Sequence, residues 1–141
     1  MQVSLLQSDT ELGQVADVML ALRPSFTKAT LIEQIKLQQL QGYQLSYLSD
    51  QQQIVAVAGF VIAWKLSWGK HLYLDDLVTL PSCRSKGVGK QLLHWLEDYA
   101  KQQQCEQFHL GSGVQRFAAH RFYLRHGFDI KSHHFTKQLS N

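Results

Sequence analysis

The segment from Asp75 to Lys90 constrains the fold of this chain most, because it reads as a strand, a basic glycine loop and the start of an amphipathic helix. The N–H groups of a helix's first turn lack partners inside the helix and carry partial positive charge. Glycine has no Cβ, so the loop backbone can approach a bound group closely. Arg84 and Lys86 add formal positive charge. The segment therefore predicts a binding site for phosphate.

Two well-known phosphate-binding patterns do not fit this segment. The P-loop pattern fails because Arg84 stands where its first glycine belongs and Gln91 replaces the final Ser or Thr. The dinucleotide-binding fingerprint fails because Leu92 occupies the place of its third glycine. What remains is Arg-x-x-Gly-x-Gly over residues 84–89, and a plain surface turn before a helix also fits that short pattern.

A second motif lies nearer the C-terminus. Residues 118–128 read Ala-Ala-His-Arg-Phe-Tyr-Leu-Arg-His-Gly-Phe, a helix with an aromatic pair that ends at Gly-Phe before a strand. In order and spacing, the two motifs resemble the GNAT superfamily of acyl-CoA N-acyltransferases. The run from Trp68 to the C-terminus is similar to a subgroup of small single-domain N-acetyltransferases. This resemblance implies acetyl-CoA as cosubstrate and no metal.

The resemblance also implies roles for particular residues. Tyr123 matches the position that donates a proton to the CoA sulfur, although a buried aromatic packing the helix onto the sheet is the alternative. The backbone of three strand residues would hold the pantetheine arm, and an N–H near Val78 would meet the oxyanion. The implied cofactor-binding residues are Leu77, Val78, Thr79, Arg84, Ser85, Lys86, Gly87, Val88, Gly89 and Lys90.

Acidic and aromatic side chains precede the loop. Asp75 and Asp76 are adjacent on a strand, so alternation predicts opposite faces and only one of them facing the substrate. That carboxylate would attract a cationic amine or relay its proton; solvent exposure or a structural hydrogen bond is the alternative. Trp64, Trp68 and Tyr73 are candidates to wall an acceptor pocket through cation–π contacts, with a core or interface role as the alternative.

Length and composition limit the classes of protein. The 141 residues predict one domain, 1–141, with a real core. The net charge of +3 is scattered outside the loop, which favours a phosphorylated cofactor over nucleic acid. No apolar run reaches a membrane span and no signal peptide is visible, so we expect a cytoplasmic protein. Cys83 and Cys105 predict free thiols without metal-ligand spacing. The sequence is compatible with a homodimer.

The periodicity predicts an α/β fold with the order β-α-α-β-β-β-α-β-α-β, a mixed sheet covered by helices. Capping boxes at Ser8 and Thr30 would open the first two helices, and a hairpin would turn at Ser49-Asp50. An apolar stripe predicts a third helix from Val88, and the segment 128–139 reads as the closing strand or strands.

The sequence therefore predicts an acetyl-CoA-dependent N-acetyltransferase that acts on a primary amine of a small molecule by direct attack in a ternary complex. A peptide or protein N-acetyltransferase and a non-catalytic acyl-CoA-binding regulatory domain are the alternatives. Two departures support the latter: Gly111 stands where the subgroup usually has Asp, and Arg116 where many relatives have a helix-capping Asn. Ser112 or a backbone group would then replace the lost cofactor contact.

Overall fold

The fold is a five-stranded sheet with four α-helices, and the computed structural model describes residues 1–84 and 86–140. The sheet order is β1-β2-β3-β4-β5. The strands are β1 Gln2–Leu5, β2 Gln44–Asp50, β3 Gln53–Lys65, β4 Gly69–Thr79 and β5 Gln107–Leu110. The helices are α1 Leu12–Met19, α2 Lys28–Gln39, α3 Val88–Gln102 and α4 Phe117–Arg125, with short 3₁₀ turns at Asp9–Glu11 and Pro81–Cys83. The predicted mixed α/β fold is confirmed.

The chain divides into two compact units, Met1–His109 and Leu110–Asn141. The first unit contains β1 to β4, the helices α1 to α3 and most of β5. The second unit contains α4 and the segments on either side of it. No helix among the described residues has the length and apolar character needed to cross a bilayer.

The hairpin between β2 and β3 turns at Gln51 and Gln52, which have φ values of 50° and 68°. Positive φ at both central residues is the pattern of a two-residue type I′ turn. The predicted turn at Ser49-Asp50 is therefore wrong, because both residues extend β2 and Asp50 pairs with Gln53. Glutamine rarely adopts positive φ, so composition gave no signal for this turn.

Helix α2 is capped three residues earlier than predicted. The Thr27 hydroxyl accepts from the Thr30 N–H at 3.1 Å, and the Thr30 hydroxyl accepts from the Thr27 N–H at 3.0 Å. Thr30 is thus the N3 member of a capping box and not its start. Ser8 does cap a helical turn, but that turn is 3₁₀ and α1 begins at Leu12.

Helices cover both faces of the sheet in the first unit. One core cluster joins the apolar sides of α1 and α2 to Leu45, Val57 and Val78 on the sheet. On the opposite face Phe60 meets Tyr99 of α3, with ring centroids 5.9 Å apart. The apolar stripe predicted for α3 is buried, which confirms that helix: Val88, Leu92, Leu93, Leu96 and Ala100.

A β-bulge in β4 changes which face its side chains occupy. Phe60 pairs with Leu74 and Gly59 pairs with Asp76, so Asp75 is the extra residue. Leu74 lies opposite Phe60 and shares its α3 face, whereas Asp76 faces α1 and α2. The simple alternation expected for Asp75 and Asp76 is interrupted at this point.

The predicted closing strand over residues 128–139 is wrong. The described residues 128–140 form no strand or helix, and residues 129–140 are exposed. Ile130, Phe135 and Leu139 are 73%, 92% and 91% exposed. Apolar spacing predicts that a segment favours an extended backbone, but a strand also needs a neighbour that accepts and donates its hydrogen bonds. The sequence pattern does not report whether that neighbour lies in the same chain.

We expect Gly59→Ala to lower the free energy of unfolding by about 1–3 kcal/mol, since overpacking a tight site costs that much. A Cβ at Gly59 would fall on the Tyr43 hydroxyl. The matched control is Gly13→Ala in α1, where a Cβ would meet only Lys28 at 3.8 Å. That variant should be stabilised by about 0.5–1 kcal/mol. Urea unfolding measures both, and equal effects would contradict the steric explanation.

Candidate active site

The start of α3 presents backbone N–H groups close to exposed cations. Its N-cap is Gly87 with φ 73°, and no side chain caps the helix. Arg84, Lys86 and Lys90 are exposed, while Val88 is buried and anchors the first turn. The conformation at Gly87 favours glycine because a Cβ is strained at positive φ. Ser85 lies outside the described residues, so its predicted role has no structural account.

The C-terminal half of β4 extends past its neighbour β5. β5 has four residues and begins beside Lys70, whose carbonyl accepts from the Glu106 N–H at 2.8 Å. Four residues from that point span about 13 Å and cannot reach Leu77–Thr79. On the other side, Leu77–Thr79 pair with β3. The outer edge of β4 at these residues therefore has backbone groups that β5 does not pair.

Asp76 is held by two side chains from other elements. The Tyr43 hydroxyl donates to Asp76 Oδ2 at 2.6 Å. Arg23 donates from Nη2 at 2.6 Å and from Nε at 3.0 Å to Asp76 Oδ1. Burial and the Asp76 carboxylate raise the pKa of Tyr43 far above its usual range, so the phenol stays protonated and keeps donating. Both carboxylate oxygens of Asp76 are thus engaged in structural hydrogen bonds.

Asp75 has a different environment. It is exposed, and none of the described residues makes a hydrogen bond to its carboxyl group, while Arg23 reaches only its carbonyl oxygen at 3.5 Å. Partial burial and the neighbouring Asp76 charge raise the pKa of Asp75, against a smaller lowering by Arg23. A carboxylate that is accessible and less acidic than usual is suited to accept a proton.

A small cavity of about 60 Å³ lies beside Asp76. Arg23, Phe26, Gln34 and Tyr43 are among the residues that line it. This volume corresponds to about two water molecules at about 30 Å³ each. The charged residues that line it are Arg23 and Asp76, which pair with each other, so their formal charges sum to zero.

Two of the three aromatic residues predicted to wall an acceptor pocket, Trp68 and Tyr73, stack on each other. Trp68 stacks on His109 with centroids 3.5 Å apart and on Tyr73 at 6.1 Å, and the Lys65 ammonium lies 4.0 Å from its ring centroid. Trp64 is 74% exposed. Tyr73 lies on β4 two residues before Asp75, whereas Trp68 lies in the turn that precedes the strand.

The same cluster contains two histidines. His71 is buried, and its ring lies edge-on to Trp68 at 4.9 Å. Burial, followed by the nearby His71 and Lys65, lowers the pKa of His109. No group of His, Cys, Asp or Glu within residues 1–84 and 86–140 has the arrangement of a metal site. The cluster is accounted for by aromatic packing.

Tyr123 lies on α4 in the second unit. Its ring packs edge-on against Phe122 and Phe128, with centroids 5.4 Å and 5.8 Å apart. Burial raises the pKa of Tyr123, and the Arg116 charge opposes this effect. The phenol is therefore protonated at neutral pH and has a proton to donate.

An open groove of about 450 Å³ lies at the N-terminus of α4. Arg116 and Arg121 line it, and Arg116 makes no side-chain capping bond. A His120 ring nitrogen lies 2.7 Å from the Gly113 carbonyl oxygen, which orders the turn before the helix. The Ser112 hydroxyl is buried and makes no hydrogen bond with the described residues. Arg116 has only donor groups, so its side chain cannot accept from the first N–H groups of α4 as an Asn cap would.

Comparison with known proteins agrees with this geometry. The model of the Acetyltransferase (GNAT) family matches residues 15–128. The chain belongs to the GNAT acetyltransferase family. It is 36% identical over 136 residues to the uncharacterized N-acetyltransferase YhdJ of Bacillus subtilis (strain 168), which covers 95% of this chain and 96% of YhdJ.

Two further comparisons concern a second sequence relative and a solved structure. An aminoalkylphosphonate N-acetyltransferase of Salmonella typhimurium (strain LT2) is 42% identical over 66 residues, 47% of this chain and 43% of that protein. The structure of AAC(6')-Iy in complex with a bisubstrate analog has a TM-score of 0.80 at 15% identity and covers 100% of both chains. This GNAT chain thus shares its fold with acetyltransferases of different acceptors.

Sequence analysis of this GNAT chain missed Arg23 and Tyr43. Arg23 precedes Pro24 and Tyr43 follows Gly42, and neither position carries a local pattern that indicates a contact with Asp76. Their partner Asp76 is 53 and 33 residues away along the chain. A glycine in the middle of an apolar strand is the local signal that was present, because Gly59 makes room for the Tyr43 ring.

We expect Asp76→Asn to lower the free energy of unfolding by about 1.5–3 kcal/mol, the range for hydrogen bonds to charged groups. Asp75→Asn should stay within about 0.5 kcal/mol of wild type, because its carboxyl is exposed and supports no side-chain bond. Urea denaturation at neutral pH compares the two. Equal losses would mean that the Arg23 and Tyr43 contacts to Asp76 do not carry the difference.

Proposed function

We propose that this chain is an acetyl-CoA-dependent N-acetyltransferase whose acceptor is the primary amine of a small molecule. The observation that carries the proposal is the uncapped start of α3 behind Gly87, next to an edge of β4 that β5 leaves unpaired. A pyrophosphate fits the first feature and an extended amide-bearing arm fits the second. The two features lie next to each other along the chain, in the order in which CoA carries these groups.

Phosphate binding would rest on both backbone and side chains. The first-turn N–H groups of α3 are donors without a side-chain cap. Arg84, Lys86 and Lys90 supply positive charge at the same place. Leu77, Val78 and Thr79 would hold the pantetheine through backbone groups on the outer edge of β4, with Val78 N–H as the oxyanion donor.

Acceptor binding would use the region around Asp75 and Asp76. The exposed carboxyl group of Asp75 would attract the ammonium form of the acceptor. Arg23 has a half-exposed side chain, which would suit an acidic group elsewhere on the acceptor. The aminoalkylphosphonate N-acetyltransferase is named for an acceptor of that type, so we place amines that carry a phosphonate or carboxylate first among the candidates.

The chemistry assigns one proton transfer to each of two residues. Asp75 accepts a proton from the ammonium group, which leaves a neutral amine to attack the thioester carbonyl. The new N–C bond forms as the C–S bond breaks, and the attacking nitrogen then releases its extra proton to water to leave the neutral amide. Tyr123 supplies a proton to the departing thiolate and is reprotonated from water, and Arg23 and Tyr43 hold the Asp76 carboxylate in place.

A screen with thiol-release detection tests the proposal directly. The panel contains aminoalkylphosphonates, amino acids, simple diamines, an aminoglycoside and short peptides, each with acetyl-CoA. Turnover of a small amine supports the proposal, whereas turnover of peptides alone would replace it with a peptide acetyltransferase. Binding of acetyl-CoA without any turnover would favour a non-catalytic acyl-CoA-binding domain.

Acetyl-CoA should stabilise the protein by about 2.7 kcal/mol at a hundredfold excess over Kd, and Gly87→Val should abolish this gain because a branched side chain would crowd the phosphate. Gly42→Val is the matched control, since Gly42 also has positive φ and open space around it. It should show the same backbone strain and the full ligand-dependent gain. Thermal unfolding with and without acetyl-CoA measures the ligand-dependent gain in stability for both variants. Normal binding by the Gly87 variant would reduce the loop to an ordinary turn.

We expect Asp75→Asn to lower acceptor kcat/KM at least about tenfold, from the usual 10²- to 10⁴-fold value of general acid–base catalysis. As pH falls through the raised pKa of Asp75, the wild-type carboxylate becomes protonated and can no longer accept a proton. The ratio of wild type to variant should therefore shrink toward one at low pH. Asp98→Asn, an exposed position on α3, is the control. A ratio independent of pH would remove Asp75 as the base.

Tyr123→Phe should lower kcat at least about tenfold and leave acetyl-CoA affinity and Tm nearly unchanged, because it removes a proton donor and keeps the packed ring. The defect should shrink at high pH, where the thiolate needs less help in leaving. Tyr47→Phe on β2 is the control for loss of a tyrosine hydroxyl. Wild-type kcat across the pH range would assign Tyr123 a packing role only.

A further inference from the structure

The Asp76 carboxylate is held by donors from two separate parts of the first unit. Arg23, which follows α1, donates from Nη2 at 2.6 Å and from Nε at 3.0 Å to Oδ1. Tyr43, which precedes β2, donates to Oδ2 at 2.6 Å. Only 12% of the Asp76 side chain is exposed, so these donors replace most of the water that an ionised carboxylate needs. Because each oxygen has its own donor, the carboxylate has a fixed orientation.

Arg23 also approaches the residue that forms the β4 bulge. Its Nη2 lies 3.5 Å from the carbonyl oxygen of Asp75, the extra residue of the bulge. A bulge disrupts the hydrogen-bond ladder locally. The guanidinium is a planar, rigid group with donors in fixed directions. One Arg23 side chain therefore connects the extra residue with the residue after it, at the point where the ladder does not.

The position of Tyr43 is built into the neighbouring strand. Gly59 of β3 pairs with Asp76, and a Cβ at Gly59 would fall on the Tyr43 hydroxyl. Tyr43 is 6% exposed. Burial and the Asp76 charge raise the pKa of Tyr43 far above its usual range. The phenol is therefore a donor at every pH at which the protein is folded and active, and its contact with Asp76 does not titrate.

We propose that Arg23 and Tyr43 are positioning residues for the activation of the acceptor amine. They act through Asp76, and they hold the β4 bulge in the form that leaves the Asp75 carboxyl group accessible. The inference rests on the proposed role of Asp75 as the base. The charged groups that bear on the Asp75 carboxyl are Asp76 on its own strand and Arg23 after α1, and the neutral Tyr43 adjoins Asp76 from before β2.

The first test is the titration of the Asp75 carboxyl group by NMR, on the full chain with labelled aspartate and without an acceptor. Arg23→Gln should move the titration midpoint to higher pH, because the Arg23 charge lowers the pKa of Asp75 against burial and the Asp76 charge. Arg23→Lys keeps the charge and should restore most of the shift. Lys36→Gln is the matched control, since it removes a cation that pairs with Asp9 at 3.7 Å. It should leave the Asp75 titration unchanged.

The second test is amide hydrogen exchange at Asp76 and Leu77 in the bulge. Tyr43→Phe keeps the ring and removes one hydrogen bond to a charged group, so exchange through local opening should become at least about tenfold faster. Arg23→Lys should also speed exchange, because an ammonium cannot reproduce the fork. Tyr99→Phe is the matched control, since its hydroxyl donates to the neutral Gln44 side chain at 3.1 Å. It should leave exchange in the bulge as in wild type.

The third test compares the pH dependence of turnover, with acetyl-CoA and a simple diamine that has no acidic group for Arg23 to bind. The acidic limb of kcat/KM for Arg23→Gln should move to higher pH together with the Asp75 titration. Tyr43→Phe should lower kcat about tenfold or more on the plateau, because a misplaced reacting group costs that much. A merely structural role would lower Tm and leave the acidic limb in place.

Two results would overturn the proposal. One is an unchanged Asp75 titration in Arg23→Gln together with unchanged bulge exchange in Tyr43→Phe. The other is a change in both with the wild-type pH profile of turnover, which would mean that the bulge does not serve the reaction. Far-UV circular dichroism establishes folding, and Arg23→Lys carries the exchange test if Tyr43→Phe does not fold.

Failure of the proposed function would look different. Wild-type turnover by Asp75→Asn would reject Asp75 as the base, and no turnover of any amine would reject the activity itself. In both cases the titration and exchange measurements need neither acceptor nor turnover. They would still decide whether Arg23 and Tyr43 hold the bulge and set the charge of Asp75.

Discussion

The hydrogen bonds from Tyr43 and Arg23 to Asp76 connect the parts of the first unit on which the candidate site depends. Arg23 follows α1, Tyr43 begins the chain into β2, and Asp76 lies in the middle of β4. Each donor satisfies one oxygen of a largely buried carboxylate, whose charge would otherwise be expensive to hold there. Gly59 on β3 completes the arrangement by leaving space for the Tyr43 ring. The position of the bulge, and with it the accessible carboxyl of Asp75, is fixed by these contacts.

Much of the fold could be predicted because it follows from local pattern. The apolar stripe of α3 and the short strand at 107–110 were placed within one residue, since amphipathic periodicity and turn residues are encoded nearby. The turn at Gln51 and Gln52 was missed because its backbone conformation is set by strand twist and register, while its residues are unusual for it. The predicted closing strand at 128–139 was wrong because pairing is a property of the neighbour as well as of the segment.

The candidate site likewise contains residues that the sequence predicts and residues that only the fold brings together. The loop before α3 could be read from sequence because glycine, basic residues and a helix start are consecutive along the chain. Arg23 and Tyr43 could not, since only the folded sheet brings them to a residue 53 and 33 positions away. The stacking of Trp68 on His109 joins residues 41 positions apart, so local pattern could not predict it either.

The bulge also explains how two adjacent aspartates can have different tasks. In a regular strand Asp75 and Asp76 would point to opposite faces, and one would face α3 and its apolar stripe. The extra residue lets Asp76 face α1 and α2, where Arg23 and Tyr43 meet it, while Asp75 stays accessible beside that charge. Partial burial and the neighbouring Asp76 charge raise the pKa of Asp75, with Arg23 limiting the rise. The structural carboxylate therefore tunes the accessible one, so a substitution at Asp76 changes both the stability of the fold and the proton affinity of Asp75.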